Sequence, residues 1–202
     1  ELCYRCHSES ANLPGNSSNK HEEFKTTNPS FHPVEGEGKN TFVISLKPPY
    51  VAQKPKLDEI SRISCNDCHG NDDPDGPKGP HGSSYPGLLV KNYQMEDERS
   101  ESEREYALCY TCHDRSSILS NESFPRHSSH IKGHLGGQKG TSCFTCHDAH
   151  GRNQYPHLIK FNEDVVFENA DQKLEYEVHG YSARQGACSL NCHGFEHSST
   201  KY

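Results

Sequence analysis

All ten cysteines of this chain fall into five pairs, and a histidine directly follows the second cysteine of each pair. Four of these motifs read C-x-x-C-H: Cys3-Cys6-His7, Cys65-Cys68-His69, Cys109-Cys112-His113 and Cys143-Cys146-His147. The fifth, Cys188-Ser189-Leu190-Asn191-Cys192-His193, carries one extra residue, which must bulge outward if the pattern is kept. C-x-x-C-H is the attachment pattern of c-type haem (heme c). The two thiols bond to the porphyrin vinyl groups, and the adjoining histidine becomes the proximal ligand of the iron. Five disulfides are the alternative for an exported chain, but a disulfide framework does not place a histidine after every second cysteine. Zinc sites would need a further Cys/His pair for each metal and have no use for the adjoining histidine. The sequence therefore predicts five covalently attached haems, with His7, His69, His113, His147 and His193 on the iron atoms.

Composition supports that reading. Only 30% of the 202 residues are hydrophobic, Trp is absent, Met occurs once and the mean hydropathy is −0.98. A typical globular chain is about 45–50% apolar, so side chains alone cannot fill a core that offsets the conformational entropy. With a motif every roughly 40 residues, the porphyrin faces supply the missing apolar surface. The predicted fold is mostly irregular coil with a few short helices and minor β-hairpins, wrapped around a stacked chain of covalently bound haems. A net charge of −7 argues against nucleic acid and anionic membranes as partners. No apolar run approaches the ~20 residues of a membrane span, and Leu88-Leu89-Val90 is among the longest. Haem attachment calls for export, so the expectation is a mature chain whose leader has been removed.

Secondary structure should be sparse. A helix is predicted over 101–113, opened by a Ser100/Glu103 capping box, and a shorter one from Asp58 into Cys65-Cys68. Single turns are expected at the other motifs. Residues 41–46 read as a strand, residues 158–161 and 165–167 as a hairpin across 162–164, and residues 174–178 as a half-buried strand. Residues 71–84 are loop. Asn16 and Asn121 head short glycosylation sequons, a pattern that also arises by chance.

Ten histidines lie outside the motifs: His21, His32, His81, His127, His130, His134, His150, His157, His179 and His197. Five would complete bis-histidine coordination, and the lone Met95 can serve one iron at most. An internal repeat guides the choice. Cys3-Tyr4-Arg5-Cys6-His7 parallels Cys109-Tyr110-Thr111-Cys112-His113, and both His7 to His21 and His113 to His127 span 14 residues. The chain thus divides into two-haem modules at 1–95 and 96–160 and a one-haem tail at 161–202, all within a single domain of 1–202. His32, His81, His130 and His150 are the first choices as distal ligands, then His127 and His21. His127 and His130 share one face if their segment is helical. His150 is too close to His147 for the same iron and suits a neighbouring one. His134, His157 and His179 read as surface residues.

The segment Ala107-Leu108-Cys109-Tyr110-Thr111-Cys112-His113-Asp114-Arg115, then His127 and His130, then Cys143-Phe144-Thr145-Cys146-His147-Asp148-Ala149-His150-Gly151, resembles the paired-CxxCH multihaem cytochromes. Ser30-Phe31-His32-Pro33-Val34, Gly79-Pro80-His81-Gly82-Ser83 and Cys192-His193-Gly194-Phe195-Glu196-His197 are similar to the same group. Within it the chain most resembles the filament-forming outer-surface cytochromes, or cytochrome nanowires, of metal-reducing bacteria and archaea. The resemblance implies bis-histidine haems in a continuous stack, and identical subunits in a helical filament with one distal ligand donated by the next subunit. The chain departs from the group in haem number and in the Cys188–Cys192 spacing.

Three functions compete on the sequence. The first is an electron conduit polymerised into an extracellular filament, exchanging electrons with other cytochromes and extracellular acceptors. The second is a soluble periplasmic shuttle. The third is a multihaem reductase of nitrite or hydroxylamine. The reductase needs an iron with an open position. All five motifs end in histidine and no acid–base cluster stands beside any of them, so no catalytic residue is expected. For the filament, motifs near both chain termini are hard to cover within one subunit. His21, in a polar loop, is the expected donated ligand.

Overall fold

The structure is a computed structural model that describes residues 2–15, 17–53, 55–77, 79–133, 140–179 and 184–202. Its helices are short: α1 (Tyr4–His7), α2 (Lys20–Glu23), α3 (Cys65–Cys68), α4 (Arg115–Leu119), α5 (His127–Lys132) and α6 (Cys143–Cys146). Single 3-10 turns lie at Glu9–Ala11, Pro86–Leu88 and Cys109–Thr111. Helices this short do not persist alone in water, so tertiary contacts hold them. Among the described residues the strands are β1 (Ser30–Phe31), β2 (Gly151–Arg152), β3 (Val166–Phe167), β4 (Glu175–Val178), β5 (Gly186–Cys192) and β6 (Phe195–Lys201).

β1 and β2 form a two-residue antiparallel ribbon, with Phe31 opposite Gly151. Gly151 is needed there because a Cβ would lie 2.3 Å from the Glu23 carbonyl and 2.7 Å from the Phe31 Cβ. The second sheet is built on β5. β6 pairs along one of its edges, while β3 and β4 pair with different stretches of it, all antiparallel. Beside this sheet sits a cluster of Ile159, Phe161, Val166, Tyr176 and Leu190. A smaller cluster joins Tyr106, Tyr110 and Ile131. Among the described residues, clusters of this size are little core for a chain of 202 residues. Short helices, small sheets and much coil are as the sequence predicts.

The strand over 174–178 is present as β4, with Tyr176 buried between half-buried Glu175 and exposed Glu177. Other elements differ. Over 101–113 the chain forms irregular turns ending in the 3-10 turn. Ser102 rather than Ser100 caps it, accepting from the Glu105 N–H at 3.2 Å. Glu101 folds inward to Arg115 at 2.6 Å and Tyr110 at 3.0 Å, and the burial of Tyr106 and Tyr110 bends the path away from a regular helix. The Asp58 helix is also absent. Ile60 bridges Tyr50, and α3 begins only at Cys65, capped by Ser64, which forms a capping box with Asp67. Residues 41–46 form no strand, nor do residues 158–161 pair with β3. Both runs are taken up by the histidine motifs.

Candidate haem sites

In four motifs the chain makes one helical turn, closed by the same bond. The histidine N–H donates to the carbonyl of the first cysteine at 2.9 Å (His7), 2.8 Å (His69), 3.0 Å (His113) and 2.9 Å (His147). That turn puts both thiols on one face, with Cβ atoms about 5–6 Å apart. None of the ten cysteines forms a disulfide.

Three of these motifs share a device that the sequence does not announce. The motif histidine sits in an isolated antiparallel bridge opposite an aliphatic residue: His69 with Leu89, His113 with Leu46 and His147 with Ile159. Each bridge has two hydrogen bonds. The residue before the histidine accepts from Val90, Lys47 or Lys160, and the residue after it donates to Leu88, Ser45 or Leu158. The ring is fixed from the same clamping segment. His69 Nδ1 donates to the Gly87 carbonyl at 2.8 Å and His147 Nδ1 to the His157 carbonyl at 3.0 Å, while His113 Nδ1 meets Ser45 Oγ at 2.9 Å. Gly87-Leu88 and His157-Leu158 adopt the same pair of left-handed conformations, so the repeat extends to the backbone. These clamps are the apolar runs that read as strands or simple hydrophobic stretches.

A carbonyl cannot donate, so the proton on His69 and His147 sits on Nδ1 and leaves the Nε2 lone pair for a metal. The same holds for His32, bonded to the Ala149 carbonyl at 2.5 Å, and His130, bonded to the Arg126 carbonyl at 2.8 Å. Burial pushes the His113 imidazole down to about 4 and that of His127 to about 3, with neighbouring histidines adding to both effects. Both are therefore neutral, the form that binds metal.

Three histidine pairs face one another across a common gap. Ring centres lie 6.4 Å apart for His7–His81, 6.1 Å for His69–His150 and 6.3 Å for His127–His147. Two imidazole–metal bonds of about 2.0–2.1 Å, plus ~1.1 Å from each nitrogen to its ring centre, give about 6.3 Å. The three ring-centre spacings match that distance. His32 approaches His113 closely enough to depress it. The β1–β2 ribbon explains how: His32 follows β1, His150 precedes β2, and the His32 N–H donates to the His150 carbonyl at 2.8 Å. One ribbon thereby sends imidazoles toward two different motifs.

Thiol contacts order the motifs in space. Cys65 neighbours Cys3, Cys68 neighbours Cys109 and Cys112, Cys109 neighbours Cys143, and Cys146 neighbours Cys188 and Cys192. The five motifs thus lie side by side in chain order.

The fifth motif is built differently. Cys188 and Cys192 both lie in β5, opposite Tyr176 and Val166 respectively. Four residues of strand span about 13 Å, well beyond the spacing of a turn. The register shift falls between Cys188 and Leu190, but the intervening Ser189 is buried rather than bulged outward. His193 and Gly194, at φ of 50° and 80°, form the tight hairpin turn into β6. His193 Nε2 lies 2.8 Å from Asp97, whose side chain is 5% exposed and also accepts from the Ser142 N–H and Thr145 Oγ1. In this conformation the fifth motif does not fit a haem as the other four do.

Of the remaining histidines, His21 is 44% exposed and lies 3.8 Å from Glu9. His197 lies near His130, His179 is exposed and His157 half-buried. His134 and Asn16 lie outside the described residues. Among the described residues no helix is long and apolar enough to cross a membrane.

No curated protein and no solved structure matches the chain. Residues 1–158, covering the four turn motifs and their paired histidines, match the family described as outer membrane cytochrome MtrC/MtrF-like, domains II/IV. The chain therefore belongs to the MtrC/MtrF-like outer membrane cytochromes, multihaem c-type cytochromes of the cell surface that transfer electrons.

Proposed function

We propose that this chain relays electrons along a row of five c-type haems, two held by residues 1–95, two by 96–160 and one by 161–202. A bound haem c supplies a one-electron iron couple. The chain's own residues attach it, close both of its faces and set the order of the row. The observation that carries the reading is the set of histidine pairs with ring centres 6.1–6.4 Å apart, each joining a motif histidine to a distant one. We assign His7 with His81, His69 with His150, His113 with His32, and His147 with His127. A haem held by each pair would take both iron ligands from the chain, which would leave no place for a small substrate and favours transfer over catalysis. The side-by-side thiols support a continuous row. At the fifth motif, attachment requires β5 to leave its strand conformation around Ser189, freeing His193 from Asp97. His130, beside His197, is the distal ligand we assign there.

Intact mass of the denatured chain tests the count. Five haem increments are expected, and four would remove the fifth site from the row. A second reading, a filament of identical subunits at the cell surface, is favoured by His21, whose exposed ring meets Tyr4 and Glu9 rather than another imidazole. Imaging of native protein should show filaments that His21→Ala shortens or abolishes with the haem count intact. A monodisperse monomer would reject that reading and leave the relay in place.

A further inference from the structure

Among the ligands assigned above whose Nδ1 partners the structure shows, one differs from the rest in what holds that atom. His32, His69, His130 and His147 give that proton to backbone carbonyls, and His113 and His127 face serine hydroxyls, at 2.9 Å and 3.3 Å. His150 Nδ1 instead lies 3.1 Å from Glu23 Oε2. Glu23 ends α2, and its side chain is only 6% exposed. Its other oxygen, Oε1, is buried without a hydrogen bond and lies 3.7 Å from Arg152 Nη1, so the hydrogen bonds of the carboxylate go to the imidazole and to Lys20 through Oε2. Lys20 Nζ lies 2.8 Å from the same Oε2 and 3.2 Å from His150 Nδ1. Asp148 Oδ1 accepts the His150 backbone N–H at 2.8 Å, and Arg152 pairs with Asp148 at 2.5 Å. Two acids face two bases here, so the group is no cation site of its own.

We propose that Glu23 is a positioning residue that makes the iron seated between His69 and His150 the most reducing of the row, and that Lys20 limits the effect. This rests on the assignment of that histidine pair. A carboxylate at Nδ1 raises the basicity of a metal-bound imidazole more than a neutral carbonyl does, and its charge stabilises the ferric state. It also selects the tautomer. With Nε2 on the metal, Nδ1 must carry the proton and donate it to Glu23, while Lys20 is confined to Glu23 and Ser18, which it reaches at 2.6 Å. Lys20 could donate to Nδ1 only in the tautomer that cannot ligate. Lys20 therefore acts through the carboxylate, drawing charge from it.

Two substitutions should move one redox component in opposite directions. Spectroscopic redox titration of the haem-loaded protein is the measurement. Glu23→Gln should make one component easier to reduce, by about tenfold in its reduced-to-oxidised ratio at fixed poise, equal to about 59 mV for one electron. Lys20→Met should shift the same component the opposite way, by about threefold. His150→Met identifies the component, because Met/His ligation raises the potential far more. If His150→Met moves no component, the histidine pairing itself is wrong. If it moves one component while Glu23→Gln and Lys20→Met leave that component unmoved or shift it in the same direction, the network only holds the fold and the inference is overturned. Should Glu23→Gln lose its haems, the direction of the Lys20→Met shift decides alone.

Discussion

The fourth and fifth motifs are neighbours in space, yet the chain treats them in opposite ways. Cys143–His147 is a local turn closed by its own hydrogen bond and clamped through Ile159. Cys188–His193 is a strand and hairpin turn, with β5 paired on both edges. The inserted residue makes the difference possible. Side chains alternate along a strand, so two cysteines four apart share a face, whereas cysteines three apart would be split across the sheet. Four-residue spacing is compatible with turn and strand alike, and the cross-strand ladder decides. Cysteine spacing therefore dictates haem geometry only where local hydrogen bonds hold the turn.

The largest predicted effect separates the two sites outright. Cys143→Ser with Cys146→Ser should remove a haem from a clamped position and collapse the neighbouring chain, seen as loss of soluble protein. Cys188→Ser with Cys192→Ser should yield folded protein with four haem increments by mass. Equal collapse of both would erase the distinction. Next comes the clamp. Ile159→Ala opens a cavity at a residue 8% exposed and should cost about 2–5 kcal/mol in a denaturant titration. Asp97→Asn should cost about 1–3 kcal/mol, because Asp97 ties the turn before α6 to His193. It should also speed attachment of the fifth haem, and an unchanged rate would mean that Asp97 does not hold His193 back. The smallest effect is at the hairpin. Phe195, 53% exposed, should tolerate alanine within about 0.5 kcal/mol.

How much of this was legible depended on how local each feature is. The motif turns were, since cysteine, cysteine and histidine lie within five residues and the turn needs nothing from elsewhere. So was β4, from its alternation. The apolar clamps are visible as hydrophobic runs, two of which read as strands, because a two-bond bridge to a histidine leaves no periodic signal. The clamp also explains why residues 158–161 do not pair with β3. Histidine pairing was not legible. It depends on a two-residue ribbon between β1 and β2, and nothing around His32 or His150 marks their strands as partners. The 14-residue repeat would place His21 and His127 alike, yet His127 faces His147 while His21 faces Tyr4 and Glu9. Glu23 and Asp97 were missed because each lies far in sequence from the histidine it touches.

Carbon monoxide titration of the fully reduced, haem-loaded protein tests the central claim most directly, since an iron held between two imidazoles has no vacant position. The four assigned histidine pairs predict at most one equivalent bound per chain, confined to the C-terminal motif and abolished by Cys188→Ser with Cys192→Ser. Two or more equivalents bound rapidly would show that the facing histidines do not close the irons, and the account of a relay through paired imidazoles would be wrong.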